Sequence, residues 1–503
     1  MRKQQHILAI DQGTSSTKAI IFDESGKPLA KGMAALHTNY HANGCVEQDA
    51  EGIYENLLEA VALCFGAYTA DGHDLASIAT IGISNQRETF IVWDDKGKPL
   101  HPAIVWQCKR SVAICQDLKE KGMAEMVNTK TGLLIDPYFS ATKLIWLNQN
   151  NNDVANAIKN NNAYFGTVDS WLLFRMTNGK VHATDHTNAS RTLMFNLKDL
   201  CWDDELVAAF GLKGIILPTI QTAASHFGST TLIGLLPEAI PISSMVGDSH
   251  AAAFGEGCFR KGAAKATLGT GCSIMMNIGD HPVLSTKGMV STICWSIPGR
   301  IDYALEGVIV SCGSTVEWLK NTLQLFKDSK ETEAMARSVE NNGGVYLVPA
   351  FSGLGSPHWQ MHRRASLLGL TFGSTKEHIT RAALESIAYQ IKDVIAAMES
   401  DAGTALEKLM ADGGIASNSF VLQFTADLLE RKVETIHLQD VSALGAALLA
   451  GMGNGIYTNM AEVEALVFDK KIHAPDLMNQ AVKLNYQEWQ TAIRENNVPG
   501  FHG

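Results

Sequence analysis

The chain opens with an apolar run, Ile7–Ile10, that breaks at Asp11, Gln12 and Gly13 and resumes over Thr17–Phe22. Short apolar runs bounded by Gly, Ser and Thr predict strands, so this segment reads as two antiparallel strands joined by a tight turn. A third strand is expected from Pro28, after the turn residues Glu24, Ser25 and Gly26. From Asp49 to about Tyr68 the apolar positions fall at helical spacing, and Ile78–Ser84 is a continuous run of the kind a buried strand needs. Three strands, a helix and a further strand predict an α/β unit with a mixed sheet.

The pattern returns in the second half. Lys265–Met276 reads as strand, Gly/Thr turn and strand, and Ile301–Leu305 as a further strand. Helices are expected over Ser314–Leu325, Lys376–Ser400 and Asn418–Leu429, with a strand entering a Gly turn at Leu409–Gly414. A repeated unit implies related domains facing each other across a cleft. The boundary is placed within 252–258, giving domains at 1–254 and 255–503. The Asn-rich stretch 148–162 reads as an exposed loop and helix edge.

A length of 503 residues, 46% of them hydrophobic, supports more than one core. The formal charge of −11 argues against a nucleic-acid partner, which would want a basic face. Nine scattered cysteines without a CxxC pair read as free thiols in a reducing compartment, not as a zinc site or disulfide framework. Met1–Lys3 carries no leader pattern and no apolar run reaches membrane-spanning length, so a cytoplasmic location is expected.

Candidate chemistry lies in the turns. In Asp11–Lys18, Gly13 permits a tight bend, and Thr14, Ser15 and Ser16 offer hydroxyl and backbone donors to phosphate oxygens. Asp11 ends a strand where it can orient a metal-bound water, and Lys18 adds a positive charge. The same residues also suit an ordinary hairpin. Gly269 and Thr270 in the second turn say little alone, but two such turns in a duplicated frame can cradle one polyphosphate. After the third turn, Gly413 and Gly414 let a flat ring approach the backbone. Asn418 there contacts a base or ribose edge, caps the following helix, or does both.

These elements in this order resemble the actin-like ATPase superfamily. Gly82–Thr89, Ile104–Gln107, Asp136–Lys143, Gly166–Trp171, Thr184–Arg191, Gly247 with Asp248, Val348–Trp359 and Ala443–Ala447 narrow the resemblance to the FGGY carbohydrate kinases, over roughly residues 6 to 460. The resemblance implies two actin-like (ribonuclease H-like) domains flanking an ATP and substrate cleft that closes to exclude water. It also implies Mg2+, a small polyhydroxy substrate and a homo-oligomer. It makes Asp248 the general base, although the residues alone favour a helix cap there. Arg87 and Glu88 become donor and acceptor for a vicinal diol, where the bland reading is a surface ion pair at a strand end. Tyr138 becomes a hydroxyl partner of the substrate, and Trp106 an apolar wall that can also be plain core. Asp11 and Asp248 would hold magnesium largely through waters. Thr14 and Thr270 would touch phosphates, and Gly313, Glu317, Gly414 and Asn418 would line the nucleoside side.

Within the family the match is nearest to members that phosphorylate glycerol, making glycerol 3-phosphate. Several positions depart from their pattern, and two of them bear on the pocket: Ser249 stands where they carry a Gln that resembles a substrate contact, and Ser273 where they carry Phe. Both changes remove bulk, so a wider, more polar pocket is expected, suited to a tetritol, a pentitol or a ketose. Loss of Asp248 or of a phosphate turn would point instead to a non-catalytic ATP-binding protein, and neither is lost.

Overall fold

The computed structural model describes residues 5–495 apart from 437, 439 and 467. The first half is organised on a six-stranded sheet in the order Ala224–Thr230, Ile240–Gly247, Ile78–Asn85, His6–Gln12, Ser16–Phe22 and Pro28–Ala35. His6–Gln12 pairs antiparallel with Ser16–Phe22 and parallel with Ile78–Asn85. The second half repeats this frame in a seven-stranded sheet ordered Val290–Ile297, Arg300–Ile309, Cys272–Gly279, Ala263–Leu268, Lys408–Asp412, Val433–Ile436 and Lys470–His473. There Ala263–Leu268 is antiparallel to Cys272–Gly279 and parallel to Lys408–Asp412. The two predicted phosphate turns therefore occupy equivalent places, each between the first two strands of its sheet.

The helices follow from their apolar spacing. Ala50–Ala70 buries Ile53, Leu57, Val61, Cys64 and Tyr68 on one side. Lys376–Ala402 begins in a capping box between Thr375 and His378 and stops at Gly403, whose φ of 57° ends the helix in the left-handed region. Gly313–Asn321 is shorter than its apolar pattern suggests, because Gln324 takes a φ of 55° just beyond it. The Asn-rich stretch is mostly not loop. It forms the end of the helix Ser140–Asn150 and the helix Asn152–Lys159, with Asn151 capping the second through Val154 N–H. Short polar side chains suit that cap, which overrides composition as a guide.

Residue 254 falls at the end of the helix Asp248–Gly255, and the packing does not respect a linear division. The helix Val441–Gly453, late in the chain, lies on the first sheet against His6–Gln12, Ile78–Asn85 and Ile240–Gly247. One apolar cluster joins Ile7, Ala9 and Ile20 of the first sheet to Ala443–Ala450, to Ala251–Phe254, and to Met275 and Met410 of the second. The two helices touch backbone to backbone. A Cβ on Gly445 would lie 1.8 Å from the Ala251 carbonyl oxygen, and one on Gly255 would lie 2.5 Å from that of Val441. Only glycine permits such an approach.

Candidate active site

The strand Ile78–Asn85 delivers Gln86, Arg87 and Glu88 to the cleft. In an extended strand, neighbours point to opposite faces. Glu88 instead has a φ of 61°, and Thr89 N–H closes a three-residue turn on the Arg87 carbonyl at 2.7 Å. That conformation is costly for a non-glycine residue and persists where its surroundings enforce it. Ser140 Oγ donates to the Glu88 carbonyl (2.9 Å), and Arg191 Nε donates to its carboxylate (2.6 Å). The turn brings both Arg87 and Glu88, each almost fully buried, into one charged network.

The centre of that network is Glu306, from the second sheet. Arg87 Nη2 lies 2.9 Å from Glu306 Oε1, and Ser273 Oγ donates to the same oxygen at 3.1 Å. Arg191 Nη1 is 2.7 Å from Glu306 Oε2 but off the hydrogen-bond line, so neither atom has a directional partner. Burial alone would raise the Glu306 pKa; Arg191 and Arg87 outweigh it and hold the carboxyl below its usual range. For Glu88, burial and the nearby Glu306 charge prevail over the same arginines and raise its pKa. Nothing in the local sequence marks Glu306 or Arg191 as a pair. They are far apart in the chain, and the contact exists only once the two sheets face each other. Arg191 does lie at the end of the Thr184–Arg191 motif, which is the signal that points to it.

Asp248 stands beside this network. Gly247 is the N-cap of the helix, so Asp248 is the first helical residue and not the cap. Its carboxylate accepts from Ser249 N–H (2.6 Å) and meets Arg87 Nε at 3.2 Å, while remaining partly open to the cleft. A helix N-terminus favours an anion there. His250 is buried, with Nε2 3.5 Å from Thr292 Oγ1 and Nδ1 without a partner. Burial and Arg87 push its pKa well down, so the ring is neutral.

Tyr138 and Trp106 form the adjoining wall, with rings edge to face at 5.5 Å. Burial and the Glu88 charge push the Tyr138 phenol pKa up, which keeps its proton available for donation. The loop carrying Tyr138 is held by Lys143. This buried amine donates to the carbonyls of Pro137 (2.9 Å) and Tyr138 (2.6 Å), and burial lowers its pKa to about 7. Trp106 Nε1 donates to Thr14 Oγ1 at 3.0 Å, linking this wall to the first phosphate turn.

That turn is closed by Gly13 N–H on the Ser16 carbonyl (2.9 Å). Gln48 and Thr38 donate to the Thr14 carbonyl, and Thr14 Oγ1 donates to Gln86 (3.3 Å). Ser15 is exposed at the tip and Ser16 half-buried. Lys18 is turned to Asp440, 3.0 Å away, which Lys31 also reaches at 2.6 Å. Asp11 accepts from Ser84 Oγ (3.0 Å); its burial, opposed by Lys18 and reinforced by Asp248, raises its pKa to about 6.

The second turn is gripped by backbone. Gly313 N–H donates to the Gly269 carbonyl (2.9 Å), and Cys312 and Ser314 N–H groups donate to that of Thr270. A Cβ on Gly313 would lie 2.6 Å from the Gly269 oxygen, and one on Gly413 (φ 89°) would lie 2.6 Å from that of Leu268. Thr270 is exposed, and a Cβ on Gly414 would meet nothing within 4 Å. Asn418 caps the helix Ser419–Leu429 by accepting from Phe420 and Val421 N–H groups, and its amide nitrogen donates to Thr332. Glu317 is exposed on its helix and pairs with Lys320 at 3.1 Å.

Two strand–turn–strand loops from related sheets, facing a buried acid–base network, define a two-domain phosphotransferase of the actin-like class. The chain belongs to the FGGY family of carbohydrate kinases: the family's N-terminal domain matches residues 6–255 and its C-terminal domain residues 264–453. It is an ATP-dependent kinase of carbohydrates or polyols. It is 43% identical to a glycerol kinase of Bacillus mycoides (strain KBAB4) over 491 residues, 97% of this chain and 98% of that one. A glycerol kinase of Bacillus anthracis (strain A0248) is 42% identical over the same length. The structure of Plasmodium falciparum glycerol kinase with ADP superposes with a TM-score of 0.93 at 34% identity, covering 98% of this chain and 99% of that one. A xylulose kinase from Lactobacillus acidophilus shares the fold, with a TM-score of 0.86 at 23% identity, covering 98% and 99% of the two chains.

Proposed function

We propose that this chain transfers the γ-phosphoryl group of ATP to a terminal hydroxyl of glycerol, giving glycerol 3-phosphate and ADP. The observation that carries this reading is the buried Arg87–Glu306–Arg191–Glu88 network with Asp248 at its open edge. A donor and an acceptor fixed side by side suit a vicinal diol, with Tyr138 donating and Trp106 covering the carbon chain. Asp248 accepts the hydroxyl proton as the new O–P bond forms and the bond from the γ-phosphorus to the bridging oxygen breaks. Thr14, Ser15 and Ser16 serve one side of the polyphosphate, with Gly269 and Thr270 on the other. Lys18 acts on phosphate only at a distance, because Asp440 holds it. Gly313, Gly414, Asn418 and Glu317 flank the nucleoside. The open space over Gly414 and the close contacts at Gly313 support that division.

Asp11 and Asp248 also fit magnesium. Their charges oppose each other, and among the described residues no cluster of three or more ligand-type side chains offers a dehydrated cage. Magnesium keeps most of its waters and needs few carboxylates, and when bound it would offset the phosphate charge.

A longer polyol is the second reading. Ser249 and Ser273 are small, and the buried atoms Arg87 Nη1 and His250 Nδ1 beside them have no hydrogen-bond partner that a further substrate hydroxyl would compete with. A panel of glycerol, erythritol, pentitols, xylulose and ribulose with MgATP, followed by ADP release, decides. Glycerol is expected to give the highest kcat/KM; erythritol or a pentitol ahead of glycerol would overturn that acceptor and keep the kinase.

A further inference from the structure

Outside the catalytic cleft, one side-chain cluster carries reactive chemistry that the kinase reaction does not use. Cys45 is half-buried and Cys108 fully buried, and both are free thiols. They lie on neighbouring antiparallel segments, where Gln48 is opposite Ala103 and Glu47 opposite Ile104. Val105 N–H donates to the Val46 carbonyl and Lys109 N–H to the Gly44 carbonyl, both at 3.2 Å. These two bonds bracket the cysteines from either end, so the two thiols lie on facing stretches of the paired segments.

Arg110 sits on the pair. Its Nε donates to Cys108 Sγ at 3.0 Å, its Nη2 is fixed by Glu47 at 2.5 Å, and its guanidinium lies 4.9 Å over the Trp146 ring. A locked cation beside a thiol favours the thiolate, which is the nucleophilic form. At Cys108 burial opposes this, but the contacts with Arg110 win and lower the pKa. Burial raises the other eight cysteines, from Cys64 and Cys115 to Cys272 and Cys312. Cys108 is thus the cysteine whose surroundings favour the thiolate, and the half-buried Cys45 is its neighbour on the solvent side.

The pair is wired to the site. Three residues after Cys45, Gln48 Nε2 donates to the Thr14 carbonyl at 2.7 Å. Two residues before Cys108, Trp106 donates to the Thr14 hydroxyl at 3.0 Å. Two of the supports of the first phosphate turn therefore hang on the segments that carry the two thiols.

We propose that Cys45 and Cys108 are a reversible oxidation site, closing a disulfide in the presence of hydrogen peroxide and slowing the kinase by shifting Gln48 and Trp106 off Thr14. The Cys108 thiolate attacks one peroxide oxygen, the O–O bond breaks, and with one proton water leaves and a sulfenic acid remains. The Cys45 sulfur then attacks the Cys108 sulfur and releases a second water. Two thiols have lost two electrons to the peroxide, and a dithiol reductant reverses the change by exchange.

The test uses the full chain. Hydrogen peroxide is titrated onto the reduced enzyme, whose MgATP and glycerol kinetics are measured first so that the kinase reading is checked separately. A linked Cys45–Cys108 peptide is expected in a non-reducing map, with an intact mass about 2 Da lower. The KM for ATP should rise several-fold and return with dithiothreitol. In C45S the linked peptide should vanish and dimedone should label Cys108, whereas C201S should respond like the parent. Absence of the linked peptide overturns the proposal, and so does a linked enzyme with unchanged kinetics. If C108S fails to fold, C45S decides alone, since its side chain is only half-buried.

Discussion

On the substrate side of the cleft, Arg87, Glu88, Arg191 and Glu306 are buried side chains that hold one another in place before any ligand arrives. On the nucleotide side, the second phosphate turn is held by main-chain hydrogen bonds and by glycines pressed against carbonyls, while Thr270 and Glu317 are exposed. On the proposed reading, acceptor choice rests on charges whose desolvation is already offset within the fold. On the same reading, nucleotide binding rests on backbone shape, which tolerates many side chains but few added atoms. Substitutions should act differently on the two sides.

The largest effect is expected at Asp248. Asp248→Asn removes the proposed proton acceptor and should lower kcat by about 10²–10⁴-fold with little change in KM for glycerol; a coupled ADP assay reads it, and a near-wild-type rate would remove Asp248 from the chemistry. Next is Glu306→Ala, which takes one buried carboxylate partner from each of Arg87 and Arg191 and leaves them only Asp248 and Glu88. A stability loss of about 3–5 kcal/mol is expected from denaturant unfolding, and a loss under 1 kcal/mol would mean the network is less desolvated than its burial indicates. On the nucleotide side, Gly413→Ala would drive a Cβ into the Leu268 carbonyl at a φ of 89° and should raise KM for ATP about tenfold. Gly414→Ala, over open space, should stay within about twofold. Equal effects at the two positions would erase the claim that backbone contact shapes that side.

The smallest effect is one of pH. With its pKa raised to about 6, Asp11 binds a proton as pH falls through that value, so kcat/KM for MgATP should decline below it. Stability moves the other way: the folded chain favours the neutral acid, so the contribution of Asp11 is fullest below its unfolded pKa and is lost as pH rises through about 6. Asp11→Asn should flatten that part of the stability profile, measured by thermal melting from pH 4 to 8; an unchanged profile would assign it to another group.

Much of the frame was legible because it is local. The apolar runs at Ile7–Ile10 and Thr17–Phe22 and their counterparts around Leu268 carry their own turns, so the duplicated motif can be read one segment at a time. Of the buried charged network, Arg87 with Glu88 was legible because one short stretch holds both. Glu306 was not, since an acidic residue in an apolar strand has no local mark of its partner. Nor was the pairing of Lys18 with Asp440, whose two residues meet only through the crossing helix. The left-handed Glu88 is likewise tertiary, imposed by Ser140 and Arg191.

The helix Val441–Gly453 also sets a timetable. Every strand of the first sheet has been made once Gly247 is joined to the chain, yet the helix that covers its apolar face comes roughly 200 residues later. At about 5–20 residues per second of synthesis, that face waits about 10–40 s for its cover. One face of the first sheet therefore lacks its helical cover until most of the second half has been made. A chaperone that shields apolar sheet surface during that interval should raise the yield of this chain more than that of one whose halves each complete their own core.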